Sequence, residues 1–227
     1  MPSFGIRKPT TSSYDEVLQK LPDLLKAEGF GVLTQVDVKD TLKQKLGVEF
    51  RRYMILGACN PPLAHRALTA ELEALGASWG APLYLRIFKA TDELEVWVQA
   101  GERYQRLRTW PICTWSGGLG PKLRQGDGQA PEGFYEVAAP QLNPSSRFHL
   151  SFNLGYPNAF DRAHGRTGDY LMVHGNCVSI GCYAMGDAAI EEIYTMVAAA
   201  LAHGQRAVPV HAFPFRMDGD WEAQHAG

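Results

Sequence analysis

The first third of the chain alternates between helical and strand-like spacing of apolar residues. Ser13 and Glu16 form a Ser-x-x-Glu capping box, and leucines follow at helical spacing until Gly29. In the next segment, apolar and polar residues alternate as they do in a half-buried strand. The predicted elements are a helix at 13–29, a strand at 30–38, a polar helix at 39–47, a strand at 52–58, and a helix at 61–76 capped by Asn60. The pattern predicts a small α/β portion.

After Gly76 the pattern becomes that of a β-rich region. Three runs of alternating apolar and polar residues between positions 83 and 115 are separated by turn sequences and predict a β-meander. A Gly-rich polar segment at 116–133 predicts a long loop, which leads into a strand with the sequence FYEVAA. A capped helix is predicted from Asp187, and a final strand from AVPVHAF. The apolar stripe of that helix consists of Ile190, Ile193, Val197 and Leu201.

These elements predict an α+β fold class. The second region is expected to form a β-rich domain with a mixed sheet or a sandwich, preceded by the small α/β portion. The change of pattern puts the boundary near residues 72–82. We therefore expect an N-terminal portion at 1–75, which would be a truncated domain, a second domain at 76–217, and a tail at 218–227.

Composition and charge exclude several classes of partner. The 227 residues are 45% hydrophobic, enough for a substantial core, and the formal net charge is −2. Because the chain has no dense Lys/Arg block, we expect neither a nucleic-acid partner nor binding to an anionic membrane surface. No apolar run reaches membrane-spanning length, and residues 1–17 lack the apolar core of a secretory signal.

The segment VHGNCVSIGCYAM, residues 173–185, concentrates the chemistry of the chain. His174, Cys177 and Cys182 could be metal ligands, but no paired Cys or His motif elsewhere completes a site, so we expect no metal. A disulfide between Cys177 and Cys182 is sterically possible across a turn, but it would consume the thiol that Gly181 presents. Burial is the simplest interpretation of Cys113, and it is favoured for Cys177 too, because cysteines are among the most buried residue types.

Cys182 can also be interpreted as a nucleophile. A thiol is mostly protonated at neutral pH, so a reactive cysteine needs a neighbouring base, and His174 would supply it. The spacing between His174 and Cys182 suits two strands joined by a tight turn. Gly181 would leave space for a substrate carbonyl, and the backbone N–H groups of Gly181 and Cys182 could stabilise an oxyanion. This arrangement is typical of acyl transfer, in which a third group orients the imidazole.

Together with its flanking segments, this box resembles a known family. HGNCVSIGCYAM, GPKLRQGDGQAPEGFYEV and NLGYPNAFDRAHGRTGDYLMVHG, within residues 78–217, are similar to the L,D-transpeptidase catalytic domain of the YkuD type, in particular its YafK-like branch. The resemblance implies an enzyme whose cysteine attacks an amide carbonyl of a peptidoglycan stem peptide. By position, it makes Cys182 the nucleophile, His174 the base, and Gly175 the residue whose carbonyl orients the imidazole. It also implies that Ser179 supports the turn, and it requires no metal or organic cofactor.

The resemblance leaves the outcome of the reaction open. Transfer to an amine would be L,D-transpeptidation, transfer to water would be murein amide hydrolysis, and an envelope protein could be the acyl acceptor or the leaving group. Ile180 and Ala184 stand where the family often has a basic or histidine residue and an arginine. Substrate carboxylates and peptide groups would therefore be bound elsewhere. The candidates for substrate binding are Arg124, Arg162, Arg166, Asn153 and Asn176.

The N-terminal portion resembles a second family. Residues 6–72 are similar to the first half of a small α/β domain family of unassigned function, marked by the box ILGACNPPLA. Cys59 precedes a helix start, where the helix dipole would favour a thiolate, but packing is the simpler interpretation. His65 on the following helix is interpreted as a surface or core residue.

Two rival hypotheses remain beside the enzyme. The chain could be a catalytically silent murein- or small-ligand-binding protein, or its ligand site could belong to the ILGACNPPLA segment. The resemblance implies a periplasmic or cell-envelope location, although residues 1–17 carry no export signal.

Overall fold

The computed structural model describes residues 8–59 and 61–217, apart from the side chains of residues 33, 34, 59 and 61–64. The chain divides into two compact units, Met1–His65 and Arg66–Gly227. The division lies within helix α3 (Pro61–Ala74), and so upstream of the boundary segment expected at 72–82. The expected cap at Asn60, the side chain of Cys59 and the expected tail at 218–227 lie outside the described residues.

The first unit contains two helices and two strands. They are α1 (Tyr14–Ala27), β1 (Gly31–Asp37), α2 (Val38–Leu46) and β2 (Met54–Cys59). The two strands pair antiparallel. The predicted capping box is present, because the Glu16 N–H donates to the Ser13 hydroxyl and the Ser13 N–H donates to the Glu16 carboxylate. Gly47 ends α2 in the left-handed conformation that glycine adopts at low cost. Each of these elements lies close to its predicted position.

The second unit is built from two five-stranded sheets and one long helix. Its elements are β3 (Leu83–Phe88), β4 (Glu93–Ala100), β5 (Arg103–Pro111), β6 (Thr114–Trp115), β7 (Gly133–Val137), β8 (Leu142–Ser146), β9 (His149–Asn153), α4 (Ala159–Ala163), β10 (Met172–His174), β11 (Tyr183–Ala184), α5 (Asp187–Ala202) and β12 (Val208–Phe213), with a 3-10 turn at Ala139–Gln141.

Both sheets of this unit are mixed. The first has the order β5-β4-β3-β12-β7, in which β12 runs parallel to β3 and antiparallel to β7. The second has the order β6-β11-β10-β9-β8, in which β10 runs parallel to β11 and antiparallel to β9. The predicted α+β class with mixed sheets is therefore confirmed. The predicted β-meander is the β3-β4-β5 part of the first sheet.

The core of the second unit joins both sheets to α5. This helix contacts β9, β10 and β12. Ile190, Ile193 and Val197 of its predicted stripe are fully buried, whereas Leu201 is half-buried against the same core. Apolar side chains at alternate strand positions complete the core, because successive strand residues point to opposite faces. They include Leu85, Ile87, Val96, Phe152, Val173 and Tyr183.

The start of α5 corrects the prediction of a capped helix. Gly186 occupies the N-cap position with φ +79, and no side chain caps the helix there. The Asp187 carboxylate, at the first helical position, instead accepts a hydrogen bond of 2.7 Å from the Asn176 N–H. The start of α5 is thereby tied to the turn that follows β10.

Candidate active site

His174 and Cys182 lie on adjacent strands of the second sheet. His174 is the last residue of β10, and Cys182 directly precedes β11. The strands are parallel, with Val173 opposite Tyr183 and His174 opposite Ala184. Because side chains alternate between faces, this register places the side chains of His174 and Cys182 on the same face of the sheet.

The connection between these strands differs from the predicted tight turn between two strands. Residues 175–182 form a crossover that returns the chain in the same direction, so β10 and β11 pair parallel. Two positions with positive φ make this path, Asn176 at +60 and Gly181 at +136. Asparagine tolerates the left-handed region, while the value at Gly181 strongly favours glycine. The prediction of two strands joined by a tight turn is therefore wrong in its connection, since a crossover joins two parallel strands.

His174 is buried and held by a backbone carbonyl. Its side chain is 1% exposed, and its Nδ1 lies 2.5 Å from the Gly175 oxygen. A carbonyl oxygen only accepts hydrogen bonds, so Nδ1 carries the proton, and in the neutral ring Nε2 keeps its lone pair. Burial lowers the pKa of His174, and the bond to Gly175 opposes this in part. The imidazole is therefore held in the neutral form that accepts a proton at Nε2.

Gly175 is the residue on which this orientation depends. A Cβ built on it would lie 2.6 Å from the Phe148 carbonyl oxygen and 2.8 Å from Asp187 Oδ1. Real Cβ atoms essentially never approach so closely. The ring of Phe148 also packs on His174, with 4.5 Å between ring centroids. Only glycine fits at position 175 without displacing the carbonyl that holds the imidazole.

Cys182 is a free thiol that is 8% exposed. Burial raises the pKa of this thiol, while the Met172 backbone N–H and the charge of Lys122 act in the opposite direction. The S–H group points to the Tyr170 carbonyl oxygen at 3.7 Å. Tyr170 has φ +51, an unusual backbone conformation for a bulky residue. In this resting geometry burial favours the neutral thiol of Cys182 and the neutral imidazole of His174.

Ser179 organises the turn before Cys182. Its hydroxyl accepts from the Gly181 N–H at 3.1 Å and donates to the Cys182 carbonyl at 2.7 Å. It also lies 3.3 Å from the Ser116 hydroxyl. The Gly181 N–H, one of the two amides considered for an oxyanion site, is therefore directed at Ser179 in this geometry. The Cys182 N–H is the other member of that pair.

The three arginines considered for substrate binding differ in their surroundings. Arg166 forms an ion pair of 2.7 Å with Asp161, which is 1% exposed. The Arg162 guanidinium donates to the Pro157 carbonyl. The Arg124 side chain is exposed, and it makes no hydrogen bond or ion pair within the part of the chain that the structure describes. Of the three, Arg124 is the one whose charge is available to a ligand.

The two asparagines both make local hydrogen bonds. Asn153 lies opposite Met172 in the pairing of β9 with β10, and its side-chain oxygen accepts from the Gly155 N–H at 2.8 Å. The Asn176 side-chain oxygen accepts from the Cys177 N–H at 2.6 Å, and its carbonyl accepts from the Gly186 N–H at 2.8 Å. Asn176 therefore shapes the turn after His174.

The interpretation of Cys113 and Cys177 as core cysteines is wrong. The two form a disulfide, and both residues are exposed. Cys113 lies between β5 and β6, and the β6-β11 pairing brings it beside the turn that carries Cys177. The two are 64 residues apart in sequence, and the strand pairing that brings them together cannot be deduced from the spacing of the cysteines.

Two lysines of the site region were not predicted. Lys89 is 1% exposed and donates to the carbonyls of Gly118 and Gly120 and to the Glu132 carboxylate, which fixes the Gly-rich loop. Lys122, 3% exposed, pairs with Asp127 and donates to the Arg124 carbonyl at 2.8 Å. A lysine beside a predicted turn, such as Lys89, or in a Gly-rich segment, such as Lys122, normally predicts a solvated charge. The sequence therefore holds no signal that either lysine is buried.

Within residues 8–59 and 61–217, no group of three or more His, Cys, Asp or Glu side chains is arranged to hold a metal ion. None of the helices described in these ranges has the length and apolar character needed to cross a membrane.

Comparison with family models gives two matches. The model described as the L,D-transpeptidase catalytic domain, YkuD, matches residues 83–210. The model described as Domain of unknown function DUF302 matches residues 6–98. The first match includes β10, the turn and β11.

Comparison with curated proteins gives a similar result. A protein of Escherichia coli strain K12 named "Putative L,D-transpeptidase YafK" is 55% identical over 138 residues, which are 61% of this chain and 56% of that protein. The protein of the same name from Escherichia coli O157:H7 matches equally well. The chain thus spans little more than half the length of these relatives.

Solved structures show similarity at lower identity. The helical cell shape determining protein Pgp2 from Campylobacter jejuni is 21% identical with a TM-score of 0.47, over 66% of this chain and 56% of that chain. Bd1075 from Bdellovibrio bacteriovorus is 23% identical with a TM-score of 0.41, over 60% and 49% of the two chains.

Proposed function

Because the chain belongs to the L,D-transpeptidase catalytic-domain family, we propose that it is a cysteine acyltransferase that acts on peptidoglycan stem peptides. The observation that carries the proposal is the pairing of His174 with the Gly175 carbonyl, on the sheet face that Cys182 shares. That pairing leaves Nε2 as the proton acceptor on this face. Catalysis by a Cys–His pair needs these features: a nucleophile, a base, and a group that orients the base.

The reaction begins with a neutral pair. As the substrate amide approaches, the Cys182 thiol transfers its proton to His174 Nε2, and the sulfur attacks the carbonyl carbon. The tetrahedral intermediate collapses to a thioester, and the leaving amine takes the proton from His174. An amine or water then attacks the thioester carbonyl and loses its proton to His174. As the C–S bond breaks, His174 passes this proton to the departing sulfur, which restores the Cys182 thiol and the neutral imidazole. The backbone N–H of Cys182 is the amide that we assign to the oxyanion.

Substrate carboxylates would meet Arg124. Its exposed guanidinium extends from the loop that Lys89 and Lys122 hold in place, and a guanidinium binds carboxylates in a bidentate manner. Arg162 and Arg166 have protein partners, so we assign them to the support of the surrounding loop. Ile180 is 89% exposed and would contribute an apolar contact where the family often has a polar one.

We place the reaction in the cell envelope. The Cys113–Cys177 disulfide supports this location, because disulfides form and persist in oxidising compartments and are rare in the reducing cytosol. The acyl acceptor is an amine or water, and an envelope protein could be the acceptor or the leaving group.

Incubation of the purified protein with murein fragments tests the proposal. Mass spectrometry should detect a thioester or its product with the wild type, and nothing with Cys182→Ala. His174→Ala should lower turnover by at least about 100-fold, since general base catalysis contributes roughly that much. Added amines distinguish transpeptidation, which yields a new amide, from hydrolysis. Gly118→Ala is the matched control, because nothing lies within 4 Å of a Cβ at that position.

A catalytically silent murein-binding protein is the second candidate. The burial of Cys182 and the raised pKa of its thiol favour this alternative. Iodoacetamide labelling separates the two. An active site should be alkylated at Cys182, and more slowly in His174→Ala. Equal labelling rates in both proteins, together with binding but no turnover of murein fragments, would overturn the enzymatic proposal.

A further inference from the structure

The Cys113–Cys177 disulfide lies next to the group that orients His174. Cys177 is two residues after Gly175, whose carbonyl accepts the Nδ1–H bond, and the chain between them turns sharply at Asn176 with φ +60. Sheet pairing ends at His174, so the turn depends on other contacts. The Gly175 N–H donates to the Leu150 carbonyl at 3.0 Å, and beyond it the turn is held by hydrogen bonds of Asn176 to Asp187 and Gly186 and by the covalent bond between Cys177 and Cys113.

The other end of the disulfide is anchored to the strand of the nucleophile. The Cys113 N–H donates to the Ala184 carbonyl at 2.8 Å, and β6 pairs antiparallel with β11 directly beside it. Ala184 is two residues after Cys182. The disulfide therefore adds a covalent link between the turn after the base and the strand of the nucleophile, beside the pairing of His174 with Ala184 and the hydrogen bond from Gly186 to Asn176.

We propose that the Cys113–Cys177 disulfide is a positioning element of the active site, which keeps the Gly175 carbonyl against His174, and that its reduction by a dithiol lowers activity reversibly. In the reduction the S–S bond breaks, two thiols form at Cys113 and Cys177, and the dithiol is oxidised to its own disulfide. Both cysteines are exposed, so a reductant can reach the bond. This inference rests on the proposed acyltransferase function.

If the disulfide positions the base, its loss should slow the chemical step more than it weakens substrate binding. A loosened turn lets the carbonyl drift from Nδ1, and the imidazole then loses its fixed orientation towards Cys182. Misplacement of a catalytic group by about 1 Å can cost on the order of 100-fold in rate. A partial loss of restraint should therefore lower kcat by roughly 10-fold and change KM much less, because Arg124, the charged group that we assign to the substrate, lies on another loop.

The test compares wild-type protein in its oxidised form, the same protein reduced with dithiothreitol and desalted under nitrogen, and the double variant Cys113→Ser/Cys177→Ser with and without dithiothreitol. A double variant is needed, because Cys113→Ser alone frees Cys177 to pair with Cys182. Mass spectrometry verifies the state of the disulfide. Turnover of murein fragments gives kcat and KM, and iodoacetamide labelling gives the reactivity of Cys182.

We expect kcat to be lower by roughly 10-fold in the reduced wild type and in the double variant. Reoxidation should restore kcat in the wild type only, and dithiothreitol should have no effect on the double variant. Equal kcat in oxidised and reduced wild type would overturn the proposal, as would a loss confined to KM. Circular dichroism verifies that the double variant is folded at the assay temperature. If the double variant is unfolded, kcat of the reduced wild type still tests the proposal.

Failure of the proposed function gives a different result. In that case no form of the protein, the oxidised wild type included, would turn over murein fragments. The labelling rate of Cys182, which needs no substrate, still decides the structural question: slower labelling after reduction supports the positioning role, and equal labelling rules it out.

Discussion

Replacing Gly175 by alanine tests the orientation of His174 most directly. The new Cβ would lie 2.6 Å from the Phe148 carbonyl oxygen, whereas real Cβ contacts are essentially never under 3.0 Å. The difference, 3.0 − 2.6 = 0.4 Å, is the least displacement that relieves the contact. Phe148 presents backbone here, and Asp187 Oδ1 at 2.8 Å blocks a second direction. The Gly175 segment must therefore move, and its carbonyl moves with it.

The size of the effect follows from that displacement. If a misplacement of about 1 Å costs on the order of 100-fold, a shift of 0.4 Å costs roughly 6-fold, and a larger relaxation costs more. Overpacking of this kind also destabilises a protein by about 1–3 kcal/mol. The bond from the imidazole to Gly175 raises the pKa of His174 against the effect of burial, so its loss should lower this pKa further. The acid limb of the rate profile should then move to lower pH.

The assay measures turnover of murein fragments between pH 4 and 8, together with thermal unfolding, for wild type, Gly175→Ala and Gly118→Ala. The control adds the same methyl group where nothing lies within 4 Å, so it should match the wild type in rate and pH profile. A Gly175→Ala protein with wild-type turnover and an unchanged acid limb would show that the Gly175 carbonyl does not orient the base.

Two further predictions concern buried polar groups of the second unit. Burial alone would raise the pKa of Glu95, but hydrogen bonds from Trp97 and two arginines outweigh it and bring this pKa to about 2. The ionised Glu95 therefore contributes its full stabilisation above about pH 4.5, and this stabilisation is lost as the pH falls towards 2. Glu95→Gln should lower the free energy of unfolding at pH 7 by about 3 kcal/mol and make thermal stability depend less on acid pH. Thermal melts with the same acid dependence as the wild type would contradict the assignment. Among the described residues, the Ser151 hydroxyl is a buried side-chain group without a hydrogen-bond partner, and Ser151 lies directly opposite His174 in the pairing of β9 with β10. Ser151→Ala should therefore leave the free energy of unfolding unchanged or raise it by up to about 1 kcal/mol. A loss of stability would show that the hydroxyl has a partner.

Much of the fold follows from local patterns in the sequence. The capping box at Ser13 predicts α1 because it satisfies helix N–H groups within four residues, and alternation predicts β3, β4 and β5 because neighbouring strand residues face opposite sides of a sheet. The stripe of α5 predicts its buried face for the same kind of reason. The box around His174 and Cys182 also indicates the family, since its residue types and spacing are local.

The tertiary structure decided what depends on contacts between distant segments. β10 and β11 are only three and two residues long, too short for a periodic signal, and their parallel pairing is set by neighbours on both sides. The pairing of Cys113 with Cys177 depends on the position of β6 beside β11. The burial of Lys122 depends on Asp127 and on a loop carbonyl. A sequence encodes each residue's chemistry, but the free energy of a buried charge or a disulfide depends on partners that only the folded chain brings within reach.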